Sequence, residues 1–133
     1  MTRVIVNGTF DVLHLGHLGL LKYAQNLGWY VLVLIDSDRR VRELKGIDRP
    51  VNTQEERAEM LRAIRYVDEV CIFDSDQELC NLIKEYDPDI MVKGSDYKDR
   101  PIIGAEYCKS IKFYEYIKGY SSTKKISSMV NRG

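Results

Sequence analysis

The 133-residue sequence has no excess of either charge, with 20 Lys and Arg against 20 Asp and Glu. A chain that grips nucleic acid through bulk charge needs a cationic surplus to neutralise phosphates, so that class is excluded. No apolar run approaches the roughly 20 residues of a membrane span. Met1-Thr2-Arg3-Val4 leads straight into a short apolar run rather than a signal peptide. Cysteine is scarce: Cys71, Cys80 and Cys108 are widely spaced, sit outside any CxxC, and lie far from both histidines. That pattern excludes a disulfide framework and a zinc cluster and suits buried, reduced thiols. Repeats, low-complexity tracts and Pro/Gly/Ser linkers are missing too. The expectation is a single cytoplasmic domain over residues 1–133, with neither nucleic acid nor membrane as partner. At 44% hydrophobic and 30% charged, it has the means to build a core. A chain of this length buries roughly two-thirds of its unfolded surface without staples.

What is present alternates. Arg3–Asn7 reads as a strand, and His14 to Gly28 as a helix with Leu20, Leu21, Ala24 and Leu27 on one face. Tyr30–Ile35 is almost wholly apolar, as a strand covered on both faces should be. Thr53-Gln54-Glu55-Glu56 is a capping box opening a helix to about Tyr66, with Met60, Leu61, Ile64 and Val67 facing inward. A strand at Glu69–Phe73, a helix at about Asp76–Tyr86 and a strand at Asp89–Val92 follow. A short helix at about Gly104–Lys109, a strand near Lys112–Tyr116 and a last helix at about Ser121–Val130 complete the chain. Five strands alternating with helices imply right-handed crossovers and an α/β, Rossmann-like three-layer sandwich. Its five-stranded parallel sheet is expected in the order 3-2-1-4-5.

Ligands in such folds sit outside the carboxyl ends of the strands, where the strand order switches. The segments leaving those ends are 8–17, 36–52, 74–75, 93–103 and 117–123, and these are also the chemically unusual ones. In the first, Gly8 permits close backbone approach, and His14 and His17, three apart, share one face of a helix start. Gly16 between them adds no obstructing side chain. Helix-start N–H groups favour a phosphate, and two imidazoles can donate to phosphate oxygens as charge builds. A structural histidine pair is the plain alternative. A metal would need a third ligand that no local spacing supplies.

Gly8-Thr9-Phe10-Asp11 followed by His14-Leu15-Gly16-His17 resembles the cytidylyltransferase-like nucleotidyltransferases over nearly the whole chain. That resemblance implies that the HxGH residues bind the triphosphate and stabilise the transition state, with Gly8, Thr9, Phe10, Asp11 and Gly16 at the nucleotide. For Asp11, orienting the loop, holding water on the metal ion or capping the helix entry are the other readings. Gly119-Tyr120-Ser121-Ser122-Thr123 is similar to the family's second signature. Gly119, Ser121, Ser122 and Thr123 are thereby expected at the β- and γ-phosphates. The charged 36–52 stretch is expected to be a loop, long for a compact domain, and Lys45 matches a lysine that closes over the phosphates. Asp38 and Arg57 match substrate-binding positions, against a plain reading of Arg57 as an exposed surface pair. Lys93, Gly94, Asp96 and Tyr97 follow the fourth strand, where nucleoside contacts are implied. A simple turn is the alternative there.

Two branches compete. Glycerol-3-phosphate cytidylyltransferases share Ile64-Arg65-Tyr66-Val67-Asp68-Glu69-Val70. The adenylyltransferase domain of bacterial ADP-heptose synthase is closer at Leu44-Lys45-Gly46, Arg49-Pro50-Val51-Asn52 and Pro88 through Tyr97. Tyr116 stands where the cytidylyltransferases carry an arginine, which removes a bidentate donor. The resemblance thus implies ATP and a sugar 1-phosphate, heptose 1-phosphate foremost, with CTP and glycerol 3-phosphate second. A binding module without catalysis is the contrasting class. Mg²⁺ is expected to arrive with the nucleotide, no metal site is expected in the protein itself, and family habit implies a homodimer. The cations of the 36–52 segment, with His14, His17 and Lys93, are expected to converge on one sheet edge, and the acidic residues to lie largely elsewhere.

Overall fold

The computed structural model describes residues 1–115. Elements follow in the order β1 (Arg3–Gly8), α1 (Leu15–Leu27), β2 (Tyr30–Asp36), α2 (Asp38–Lys45), α3 (Gln54–Arg62) and β3 (Glu69–Phe73). Then come α4 (Asp76–Tyr86), β4 (Ile90–Gly94) and β5 (Ser110–Tyr114), with short 3₁₀ turns at Ser95–Tyr97 and Ala105–Tyr107. The strands form one sheet in the order β3-β2-β1-β4-β5, and every pairing is parallel. The expected architecture and strand order are therefore found.

Side-chain parity along the strands divides the core in two. Val4, Val6, Val31 and Val33 point to the face where Leu20, Leu21 and Leu61 pack, which α1 and α3 cover. Ile5, Leu32, Leu34 and Met91 point to the other, against Leu79 and Ile83 of α4 and Phe73. In β2 five successive residues are buried, as its unbroken apolar run requires. Each fully buried aliphatic side chain contributes about 2 kcal/mol relative to exposure.

Local departures from the sequence reading have identifiable causes. The 36–52 stretch is not all loop, because Asp38–Lys45 is helical. The Ser37 hydroxyl accepts from the Arg40 N–H, Asp38 lies at the positive end and Lys45 at the negative end, and Gly46 ends the helix at φ 110°. Only Val41 of α2 is buried, too little apolar periodicity to signal a helix. α3 stops at Arg62, and Ile64 and Val67 each donate three residues back in tight turns. Met60, expected inside, is 56% exposed, whereas Leu61 is fully buried as expected. The short helix expected at 104–109 is a single 3₁₀ turn, and β5 begins two residues earlier than read. The expected last helix lies outside the described residues.

Candidate active site

A cleft of about 560 Å³ opens at the carboxyl ends of β1, β2 and β4, where the strand order turns about β1. Of the expected site residues, Gly8, Thr9, Phe10, His14, His17, Lys45, Lys93, Gly94, Asp96 and Tyr97 line it. Gly16, Asp11, Asp38 and Arg57 do not, and Gly119, Ser121, Ser122 and Thr123 lie outside the described residues.

His14 is not in the first turn of α1 but caps it. Its Nδ1 accepts from the Gly16 N–H at 3.0 Å, and the His17 Nδ1 accepts from the His14 N–H at 3.2 Å. The helix-start N–H of Gly16 is therefore occupied by a side chain. The two rings stack with centroids 3.8 Å apart. A nitrogen that accepts cannot carry the proton, so this network assigns both imidazoles as neutral with the proton on Nε2. Burial holds His17 down to about 3, with His14 and Lys45 adding to the effect. Each ring is thus a neutral Nε2–H donor whose orientation the helix start has set. Phe10 packs against His17 at a centroid distance of 5.1 Å and sits at φ 50°, a left-handed conformation that costs a bulky residue on the order of 1–3 kcal/mol. Its ring passes over Gly8, where a Cβ would lie 3.1 Å from it.

The cations divide between two arms of the cleft. On the β4 side Lys93 is buried, donates to the Asn7 carbonyl at 3.3 Å and lies 4.3 Å from the centroid of the Tyr97 ring. Burial pulls its ammonium down to about 8, against the opposing pull of Asp36 and Asp96. On the β2 side stand Arg40 and, at the rim, Lys45. Lys45 lies below the usual lysine range, through desolvation and then Arg49, although Asp36 and Asp11 oppose this. Asp36 itself lines the cleft and is pushed above the usual carboxylate range by burial, with Arg40 and Lys45 opposing. The acidic residues lie largely elsewhere, although Asp36 and Asp96 share the lining with the cations. Not all the arginines converge there, since Arg39 pairs with Glu43 and Asp74 at the surface. Arg40 lines the cleft as expected of that segment's cations, whereas the sequence reading missed Asp36 and the apolar wall of Pro101, Ile102 and Ile103. Position at a strand end was the available signal for Asp36.

Behind the cleft lies a clasp. The Asp11 carboxylate, 1% exposed as a residue, accepts from the Val51 and Asn52 N–H groups at 2.9 Å and from Arg49 Nε at 3.2 Å. Asp11 lies outside the cleft lining and ties segment 49–52 to the loop after β1, in keeping with the loop-orienting reading. Arg57, read as substrate-binding or exposed, is 1% exposed as a residue and bonds Asp38 Oδ1 at 2.8 Å, the Thr9 carbonyl at 3.0 Å and the Asn52 carbonyl at 3.1 Å. Asp38 and Arg57 thus join α2, α3 and the loop carrying Thr9, and set the cleft wall from outside it. Among the described residues no group of three or more His, Cys, Asp or Glu could hold a metal, and no helix is long and apolar enough to cross a membrane.

Comparison with known proteins gives a consistent picture. A family model described as cytidylyltransferase-like matches residues 5–129. The chain is 46% identical over 128 residues to the bifunctional protein HldE of Campylobacter fetus, covering 96% of this chain and 28% of that protein. It is likewise 46% identical to the bifunctional protein HldE of Koribacter versatilis, covering 92% of this chain and 26% of the relative. The chain thus spans about a quarter of the length of these relatives. A solved structure of a lipopolysaccharide core biosynthesis protein from Thermoplasma volcanium superposes with TM-score 0.72 at 27% identity, covering 88% of this chain and 99% of that one.

Proposed function

The chain belongs to the cytidylyltransferase-like family, and from that premise we propose that this nucleotidyltransferase moves AMP from ATP to a sugar 1-phosphate. Heptose 1-phosphate is the favoured acceptor, and pyrophosphate is the second product. The observation that carries the chemistry is the pair of neutral imidazoles, each fixed through Nδ1, set between Lys45 and Lys93 on one cleft. The choice of nucleotide and acceptor draws on the 46% identity to proteins named bifunctional HldE, together with the resemblance to the adenylyltransferase domain of ADP-heptose synthases.

In this reading an acceptor phosphate oxygen attacks the α-phosphorus in line. A new P–O bond forms, and the bond to the bridging oxygen of the departing pyrophosphate breaks. The nucleophile is already an anion, so no general base and no covalent enzyme intermediate are required. Catalysis is positioning and charge stabilisation. His14 and His17 donate through Nε2 to oxygens that gain charge, and because both are neutral they do so without surrendering a proton. Lys93 and Lys45 supply the positive charge. Mg²⁺ would enter with the nucleotide and neutralise phosphate charge, held mostly by phosphate oxygens and water.

The test is pyrophosphate release from ATP or CTP with a panel of phosphorylated acceptors. Release from ATP with an aldose 1-phosphate is expected. Release confined to CTP with glycerol 3-phosphate would assign the second branch, and no release with any pair would leave a binding module.

A further inference from the structure

Asp36 has no part in the reaction just described, yet it is built into the cleft. It ends β2, and its Oδ2 accepts from Arg40 Nε at 3.1 Å, the two side chains being 13% and 15% exposed. Arg40 cannot swing away, because it also bonds Asp76 at the start of α4 and lies over the Phe73 ring. A carboxylate is thereby fixed in a cleft that must admit polyanions, where it repels every phosphate that approaches. Arg40 takes one of its oxygens, and a carboxylate offers about four acceptor sites. Capacity to accept from a ligand therefore remains.

The two arms of the cleft suit different chemistry. The β4 arm supplies apolar and aromatic surface in Tyr97, Pro101 and Ile103, which suits a nucleobase. The β2 arm presents ionic groups, Asp36, Arg40 and Lys45, and its aromatic residue, Phe73, is buried beneath Arg40. A phosphate with hydroxyl-bearing carbon attached matches that arm, cations meeting the phosphate and the carboxylate meeting the hydroxyls. We propose that Asp36 is a specificity-determining residue of the β2 arm, accepting hydrogen bonds from the hydroxyls of a polyhydroxylated phosphate ester. The same charge disfavours a triphosphate lodging there in place of the acceptor. The inference rests on the transfer reading for the acceptor's identity as a phosphate ester, so its test is one of binding rather than turnover.

Calorimetric titration of the full chain with inorganic phosphate, an aldose 1-phosphate and ATP gives the readout. The wild-type protein is expected to bind the aldose 1-phosphate about tenfold or more tightly than inorganic phosphate, the scale of a hydrogen bond to a charged group. Asp36→Ala should reduce that ratio to within about threefold and leave ATP affinity equal or tighter. Asp36→Asn keeps an acceptor for Arg40, guards against a folding defect, and should give an intermediate ratio. A ratio that survives both substitutions, or one absent from the wild-type protein, overturns the inference. Loss of the ratio alongside wild-type protein that releases no pyrophosphate would support Asp36 and refute the transfer reading, so the two fail separately.

Discussion

Nucleotide affinity should fall with rising pH through Lys93. This lysine is 8% exposed, and its partners are the Asn7 carbonyl and the Tyr97 ring. Burial brings it from 10.5 to about 8. If the ammonium form alone binds phosphate, the amine outnumbers it by roughly thirtyfold at pH 9.5 and is a tenth of it at pH 7. The dissociation constant for ATP should therefore rise by up to about thirtyfold over that interval. His17 does not contribute, because it is neutral throughout it. Lys45 is also depressed and adds its own slope, so the decisive quantity is the difference between wild type and Lys93→Met. Calorimetric titration at constant ionic strength, at pH 7, 8, 9 and 9.5, measures it. Stability gives an opposite-signed companion. A depressed folded pKa means that the stability contribution is present above the unfolded value of 10.5 and lost as pH falls through 8. At pH 7 the buried ammonium therefore costs the fold about 3–4 kcal/mol at most, its pKa having fallen from 10.5 to about 8 at roughly 1.4 kcal/mol per tenfold change in acidity. Lys93→Met should bind ATP more weakly at pH 7 and yet melt higher. A variant with the wild-type pH slope, or one that melts lower, would refute the argument.

Three further outcomes are expected. His17→Asn should lower turnover by at least about 100-fold, the effect of losing one transition-state donor. It should also flatten the acid side of the stability profile. The neutral, buried ring stabilises the wild type above pH 6.5 and loses that contribution as pH falls toward 3, at no more than about 1.4 kcal/mol per unit; equal slopes in urea melts at pH 5 to 6.5 would contradict this. Arg57→Met leaves the Asp38 carboxylate and two carbonyls without their partner and should destabilise by about 3–5 kcal/mol in urea denaturation, where a loss below 1 would show the clasp to be idle. Gly28→Ala places a Cβ 2.8 Å from the Thr2 carbonyl and 2.4 Å from the Val4 side chain, so a loss of about 1–3 kcal/mol with unchanged kinetics is expected, as measured by thermal melts and initial rates.

The sheet was legible because its strands are short apolar runs punctuated by Gly, Asp and capping residues. The histidines were legible as strand-end chemistry, and Lys45 and the 93–97 segment chiefly through the family resemblance. α2 was hidden because a helix that buries only Val41 has no apolar period, though Ser37, Asp38, Lys45 and Gly46 mark its ends. Asp11, Asp38 and Arg57 could not be told from cleft-lining residues, for a different reason. A charged residue near a site has the same sequence signature whether it meets a ligand or closes a buried clasp, and only three-dimensional partners separate the two. Asp36 was passed over because a lone acid among many charges looks like surface.

The double cap at the start of α1 bears on how this chain can change over time. His14 and His17 hold the helix as well as the cleft, so a lineage under selection for folding alone would retain both after activity had lapsed. Their survival in a drifting copy is a poor witness to function. Lys93 is the better one, because a buried ammonium that weakens the fold persists only while something it binds is worth the loss.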